Sequence, residues 1–209
     1  MIEYLASIQN RRDEEANIEL ACSLAQNSDV QGIAEIVAIW QQSNTTIASD
    51  CIKVLYEIAE RDASLIAPYV DLFIDALNSK VNRQVWGSMT VLSYITPFTA
   101  EAVFKRLDDV VLAYKSGSVI TIDNSISVFA QLCKADITYQ KVVFPILIEH
   151  FKKCRAKELL QHSKRIMICL DKNNKDLFAD TIAARISEAP KNQQIQLTRI
   201  IKKLNSSDY

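Results

Sequence analysis

TTIASDCIKVLYEIAERDASLIAPYVDLFIDALNS, residues 45–79, holds two apolar stripes with a capping residue between them. Ala48, Ile52, Leu55 and Ala59 recur at the i, i+4, i+7, i+11 spacing of a single helix face. Ile66, Val70, Phe73 and Leu77 mark a second face. Between them stands Asp62, a residue type whose side chain accepts from the unpaired amides at a helix start. The stretch therefore predicts a helical hairpin.

The pattern continues outward in steps of 37 residues. One column is Leu55, Leu92, Phe129 and Ile166, a second is Ile58, Ile95, Leu132 and Cys169, and a third is Ala48, Val85, Ile122 and Leu159. A fourth, Asp62, Thr99, Asp136 and Asn173, contains only strong N-cap types. Toward the N-terminus the step shortens: Ile18, Ala21 and Leu24 precede Ile52, Leu55 and Ile58 by 34. Ser28 then takes the capping place of Asp62.

These columns predict helices near 13–27, 30–42, 45–60, 63–78, 81–95, 100–115, 119–134, 137–153, 157–171, 174–188 and 191–204. A short turn is expected at 2–9. The last helix, with Leu197, Ile200 and Leu204 on its apolar side, closes the array, and Lys191, Arg199, Lys202 and Lys203 face water. Pro68 falls near a helix start, where a missing N–H costs little. Pro145 sits a turn deeper in its helix and is expected to kink it or delay its start.

Composition agrees. The 209 residues include only 3 Gly and 4 Pro, where ordinary usage gives roughly 15 and 10. Such a chain is a poor source of hairpin turns or glycine-rich phosphate loops, which excludes all-β, P-loop and Rossmann classes. No apolar run reaches the about 18 residues of a membrane helix, and no apolar signal core opens the chain, so no membrane partner and a cytoplasmic location are expected. The five cysteines form no CxxC pair and sit among helical apolar residues, as small core hydrophobes do.

Net charge is −1, but it is unevenly laid out. Residues 1–79 carry 4 basic and 13 acidic side chains, and residues 80–209 carry 20 and 12. That asymmetry fits two recognition surfaces of opposite sign, head-to-tail self-association, or simply solvated helix faces.

The two-helix unit, repeated at this length, resembles the HEAT-repeat (armadillo-type) α-solenoids. Leu55, Ile58 and Ala59 match the first-helix stripe of that family, and the run from Leu65 through Pro68 and Phe73 to Leu77 matches the second. Val81, Arg83 and Val85 are similar to its Val-Arg-x-x-Ala opening, from which later repeats depart with Ile120 and Lys157. The resemblance implies an all-α, right-handed superhelix of about five HEAT-like hairpins with a C-terminal capping helix. The repeats would be 13–43, 44–79, 80–117, 118–154 and 155–190, the cap 191–204, and the whole of 1–209 a single repeat domain.

In such solenoids the second helices line the concave side, which here implies Asp71, Asp75, Lys105, Asp108, Lys141, Glu149 and Lys152 as binding residues. A basic cluster, Lys152, Lys153, Arg155, Lys157, Lys164 and Arg165, spans one interhelix loop; from 141 onward the chain has 14 Lys+Arg against 7 Asp+Glu. The expected function is a non-catalytic protein-binding scaffold. One alternative is a nucleic-acid-binding protein of the DNA-alkylation-repair type, using the basic half. Its expected Trp–Asp pairing one turn apart is missing: Thr90 follows Trp86, and Asn44 follows Trp40. A second alternative is a lyase-associated HEAT-like protein that handles a small ligand.

Catalytic strings such as GxSxG and HExxH are absent from the sequence. His150 and Cys154 make an i, i+4 pair, but a metal site needs three or four ligands, and His162 reads as a half-buried packing residue. No metal and no cofactor are expected. Cys154 with His150 lacks an orienting acid for nucleophilic work. Trp86 stands in a column with Ser49, Asp123 and Leu160, outside the core columns, which leaves it open to either solvent or a neighbouring repeat.

Overall fold

A computed structural model describes residues 1–43 and 45–206 of the chain. Among the described residues there are eleven α-helices and no strand. They are α1 (Glu15–Gln26), α2 (Val30–Gln42), α3 (Thr45–Arg61), α4 (Val70–Ala76), α5 (Asn82–Lys105), α6 (Leu107–Ser116), α7 (Val119–Ala135), α8 (Ile137–Lys153), α9 (Leu159–Ile166), α10 (Lys175–Ala183) and α11 (Lys191–Leu204). Short 3-10 turns lie at Ile2–Tyr4, before α4, on both sides of α9, and after α10. The chain divides into two compact units, Met1–Ser125 and Ile126–Tyr209.

The strongest columns are dry. Leu55, Leu92, Phe129 and Ile166 are each fully buried, as are Ile58, Ile95 and Leu132, with Cys169 nearly so. All but Cys169, which ends the 3-10 turn after α9, lie on the odd-numbered helices α3, α5, α7 and α9. The third column holds less well: Leu159 and Ala48 are buried, but Val85 and Ile122 are half-exposed.

In the N-terminal unit α1 packs on α3 and α3 on α5, while α2 and α4 pack on α3 and α5 respectively. Helices α3 and α5 come close at Gly87, where an added Cβ would lie 2.5 Å from Cγ1 of Ile52. The segment before α1 is tied down by polar contacts. The Asn17 side chain accepts from the amide of Ala6 at 3.0 Å and donates to Asp50 at 2.9 Å, and Asp50 also accepts from the amide of Ser7 at 2.8 Å. In the C-terminal unit α10 packs on α8 and α11, and α11 also meets α9. Leu197 and Leu204 of α11 are fully buried, and its four basic residues are exposed.

The capping column is only partly realised. Asp62 accepts from the amide of Ser64 and Asp136 from that of Thr138. Thr99 does not cap: its hydroxyl donates backward to the carbonyl of Ile95 at 3.0 Å. Its backbone is nonetheless non-helical (φ −133°, ψ 22°), so α5 is two helical stretches joined at a kink two residues after Pro97. Asn173 also misses; the residue before α10 is Asn174, whose Oδ1 accepts from the amide of Asp171 at 2.8 Å. In the first hairpin the cap is Asp29, bonded to the amide of Gly32, not Ser28.

The prolines behave unlike each other. Pro68 lies in a 3-10 turn, Ala67–Tyr69, and the following α-helix starts only at Val70. Pro145 is carried inside a helix that already starts at Ile137, so it does not delay that start.

Candidate functional site

The kink in α5 shapes the surface of the N-terminal unit. A proline interrupts the backbone ladder and frees a carbonyl a turn earlier, and here the helix axis breaks just beyond Pro97. Phe98 is left 62% exposed. Beside it lies a groove of about 590 Å³ lined by Asp71, Phe98, Thr99, Ala100, Glu101, Ala102, Lys105 and Arg106. Asp71 comes from α4, and the rest come from the second part of α5 and its end.

Charges of both signs rim the groove in pairs. Lys105 contacts Glu101 at 2.7 Å, and Arg106 bridges Asp75 at 3.1 Å and Asp109 at 2.7 Å. The hydrogen bond from Asn78, followed by that from Arg106, holds the Asp109 carboxyl below its ordinary value. Asp71 and Lys105 thus share one groove and Asp75 pairs with a residue of its wall; Asp108 is exposed on α6. Phe98, Glu101 and Arg106 were not anticipated. The signal for them was Pro97 within a helical pattern, which predicts a break and hence an exposed corner.

The same unit also holds a buried ion pair. Lys53 and Glu57, 7% and 9% exposed, form an ion pair at 2.7 Å. Arg61 joins Glu57 at 2.5 Å, Lys53 reaches Glu14 at 3.3 Å, and Arg83 reaches Glu14 at 2.5 Å. Burial pushes the Glu57 carboxyl up, but hydrogen bonds from Lys53 and Arg61 outweigh it and leave the group below its ordinary value. Both tryptophans are packed here. Trp40 is buried, stacks on Phe73 at 5.1 Å and donates to Gln84 at 2.6 Å. Trp86 is half-buried, between Tyr56 at 5.8 Å and the guanidinium of Arg83 at 5.3 Å. Asn44 lies outside the described residues.

In the C-terminal unit Lys141, Glu149 and Lys152 are exposed on α8. The basic cluster is largely engaged. Lys152 and Lys153 both meet Glu149, at 2.7 and 3.2 Å, and Arg155 pairs with Glu158. Lys164 donates to Gln196 at 3.1 Å and Arg165 to Ser127 at 2.8 Å, while Lys157 is exposed.

The same unit brings a third residue to the His150–Cys154 pair. His150, in the last turn of α8, and Cys154, its C-cap, are joined by α9, which contributes His162. His162 is fully buried, not half-buried as its column suggested, and His150 and Cys154 are 6% and 8% exposed. Nε2 of His150 and Nδ1 of His162 are 2.8 Å apart, and one ligand atom from each of the three residues lies within 4.8 Å of the others. Burial pushes the Cys154 thiol above its ordinary value, with the nearby Arg185 guanidinium working against it. A thiol so held is a poor nucleophile.

A second sulfur contact joins Cys133 and Cys169, whose hydrogen bond, together with burial, pushes the Cys133 thiol well above the ordinary range. No protein-family model matches the chain, and it has no match among curated proteins.

Proposed function

We propose that this chain is a HEAT-like right-handed α-solenoid acting as a non-catalytic, cytoplasmic protein-binding scaffold. The observation that carries the reading is the groove beside Phe98. A large apolar side chain stands 62% exposed between acidic and basic groups, the combination of apolar anchor and polar rim that protein interfaces use. The occupant that fits is a peptide segment offering an apolar side chain to Phe98, with charged residues that exchange with the Asp71, Glu101 and Lys105 rim. The in-phase burial of residues 55, 92, 129 and 166 supports the repeat architecture beneath it.

The nucleic-acid reading draws less support. Three of the six basic-cluster residues already face carboxylates, and both tryptophans are occupied by packing. Capture from a native lysate on wild-type protein, on Phe98→Glu, and on a triple charge reversal at Lys152, Lys153 and Arg155 tests the choice. Proteins retained by wild type and by the triple variant but lost by Phe98→Glu, at unchanged melting temperature, are the expected result. Equal retention by all three overturns the groove as the site. Binding to mixed DNA that weakens steeply with salt and is lost in the triple variant would favour the nucleic-acid alternative.

A further inference from the structure

We propose that His150, Cys154 and His162 form a zinc site. The inference stands apart from the scaffold reading, since it concerns the interior of the C-terminal unit. Two imidazole nitrogens and one sulfur converge with their ligand atoms within 4.8 Å of one another. In a tetrahedral zinc site, bonds of about 2.0–2.3 Å place such atoms about 3.3–3.6 Å apart. The cluster reaches that geometry by opening the 2.8 Å contact between the histidines and drawing the sulfur inward, a side-chain adjustment.

The local structure fixes two of the ligands. His150 and Cys154 are one turn apart, and the amide of Cys154 closes the helix end on the carbonyl of His150 at 2.7 Å. His162 comes from the middle of α9 with no exposed surface. At 2.8 Å one imidazole nitrogen donates and the other accepts; metal binding would replace that bond, the donating ring shifting its proton to its other nitrogen and the Cys154 thiol releasing its proton to solvent. Two nitrogens and a thiolate suit a borderline-soft ion, and they disfavour magnesium and calcium, which take oxygen.

The surroundings supply the second layer of contacts that tunes metal ligands. Arg185 donates toward the Cys154 sulfur at 3.8 Å and is anchored on the carbonyl of Phe151 at 2.8 Å. Glu158 acts electrostatically on both His162 and Cys154. Its carboxylate, now paired with Arg155, offsets the positive charge an ion would bring. Three protein ligands leave a fourth position to water. The sequence hid the site because His162 is eight residues beyond Cys154, across a loop and a 3-10 turn whose geometry spacing alone does not give.

The test titrates chelator-treated full-length protein with cobalt(II), then with zinc(II). One equivalent of cobalt should give a thiolate-to-cobalt charge-transfer band and tetrahedral visible bands, both erased by zinc. Cys154→Ser should lose the charge-transfer band and His162→Gln should weaken binding, while Cys22→Ser behaves as wild type. Should the ligand variants misfold, zinc protection of Cys154 from alkylation in the wild-type protein, mapped cysteine by cysteine, gives the same answer. No cobalt band, a band that survives Cys154→Ser, or alkylation of Cys154 indifferent to zinc overturns the proposal.

Discussion

The N-terminal and C-terminal units are built from the same apolar period, yet they fill their interiors differently. In residues 1–125 the buried polar groups include an ion pair, Lys53 with Glu57, which the exposed Glu14 and Arg61 and the half-buried Arg83 extend toward solvent. In residues 126–209 they include two histidines in contact, His150 and His162, beside the buried Cys154 thiol, and a pair of thiols joined to each other, Cys133 and Cys169. The apolar period marks many of the positions that go inside. It does not fix what chemistry goes with them, because a buried polar group is tolerated wherever a neighbouring helix brings a partner.

That contrast can be broken by experiment. If the apolar columns are equivalent in both units, Leu92→Ala and Leu132→Ala should each cost about 2–5 kcal/mol, since both side chains are fully buried. Denaturant unfolding measures this, and a near-zero loss at one of the two would end the equivalence.

The buried Lys53–Glu57 pair should then show itself through pH. Glu57→Gln is expected to lose about 1–3 kcal/mol near neutrality, because it leaves Lys53 and Arg61 without their shared acceptor. The sign follows from the depressed carboxyl: stability from Glu57 is present above its ordinary value of 4.5 and fades as pH falls through the lower folded value. The gap between wild type and variant should therefore close on acidification below 4.5. Parallel curves would mean that the fold does not hold Glu57 ionised.

The smallest effects concern the capping column. Asp62→Ala and Asp136→Ala should each cost roughly 1 kcal/mol, or about 2–4 °C in melting temperature at this size. Thr99→Ala should cost less than either, because its hydroxyl bonds back to Ile95 instead of capping. Equal losses at all three would return Thr99 to the role its column suggested.

The sequence made the helices legible wherever apolar spacing and local capping agreed. The starts of α2 at Val30, α8 at Ile137 and α11 at Lys191, and the end of α11 at Leu204, fall where the period puts them. It misled where one residue outweighs the pattern. Pro68 moves the start of α4 to Val70, and α5 runs on through Pro97 past residue 95 and kinks at Thr99. The groove beside Phe98 is a consequence of that kink, which is why only Asp71 and Lys105 of its lining were anticipated. The histidine–cysteine cluster was half visible, as an i, i+4 pair. Its third member depends on how α9 lies against the end of α8, a tertiary fact that no local spacing encodes.

The proposed solenoid would stack its hairpins as an extended array, and small-angle X-ray scattering tests that most directly. A compact globule of this length has a radius of gyration of about 17 Å. A stacked array should exceed that value clearly in dilute, monodisperse solution. A radius at or below about 17 Å would contradict the solenoid.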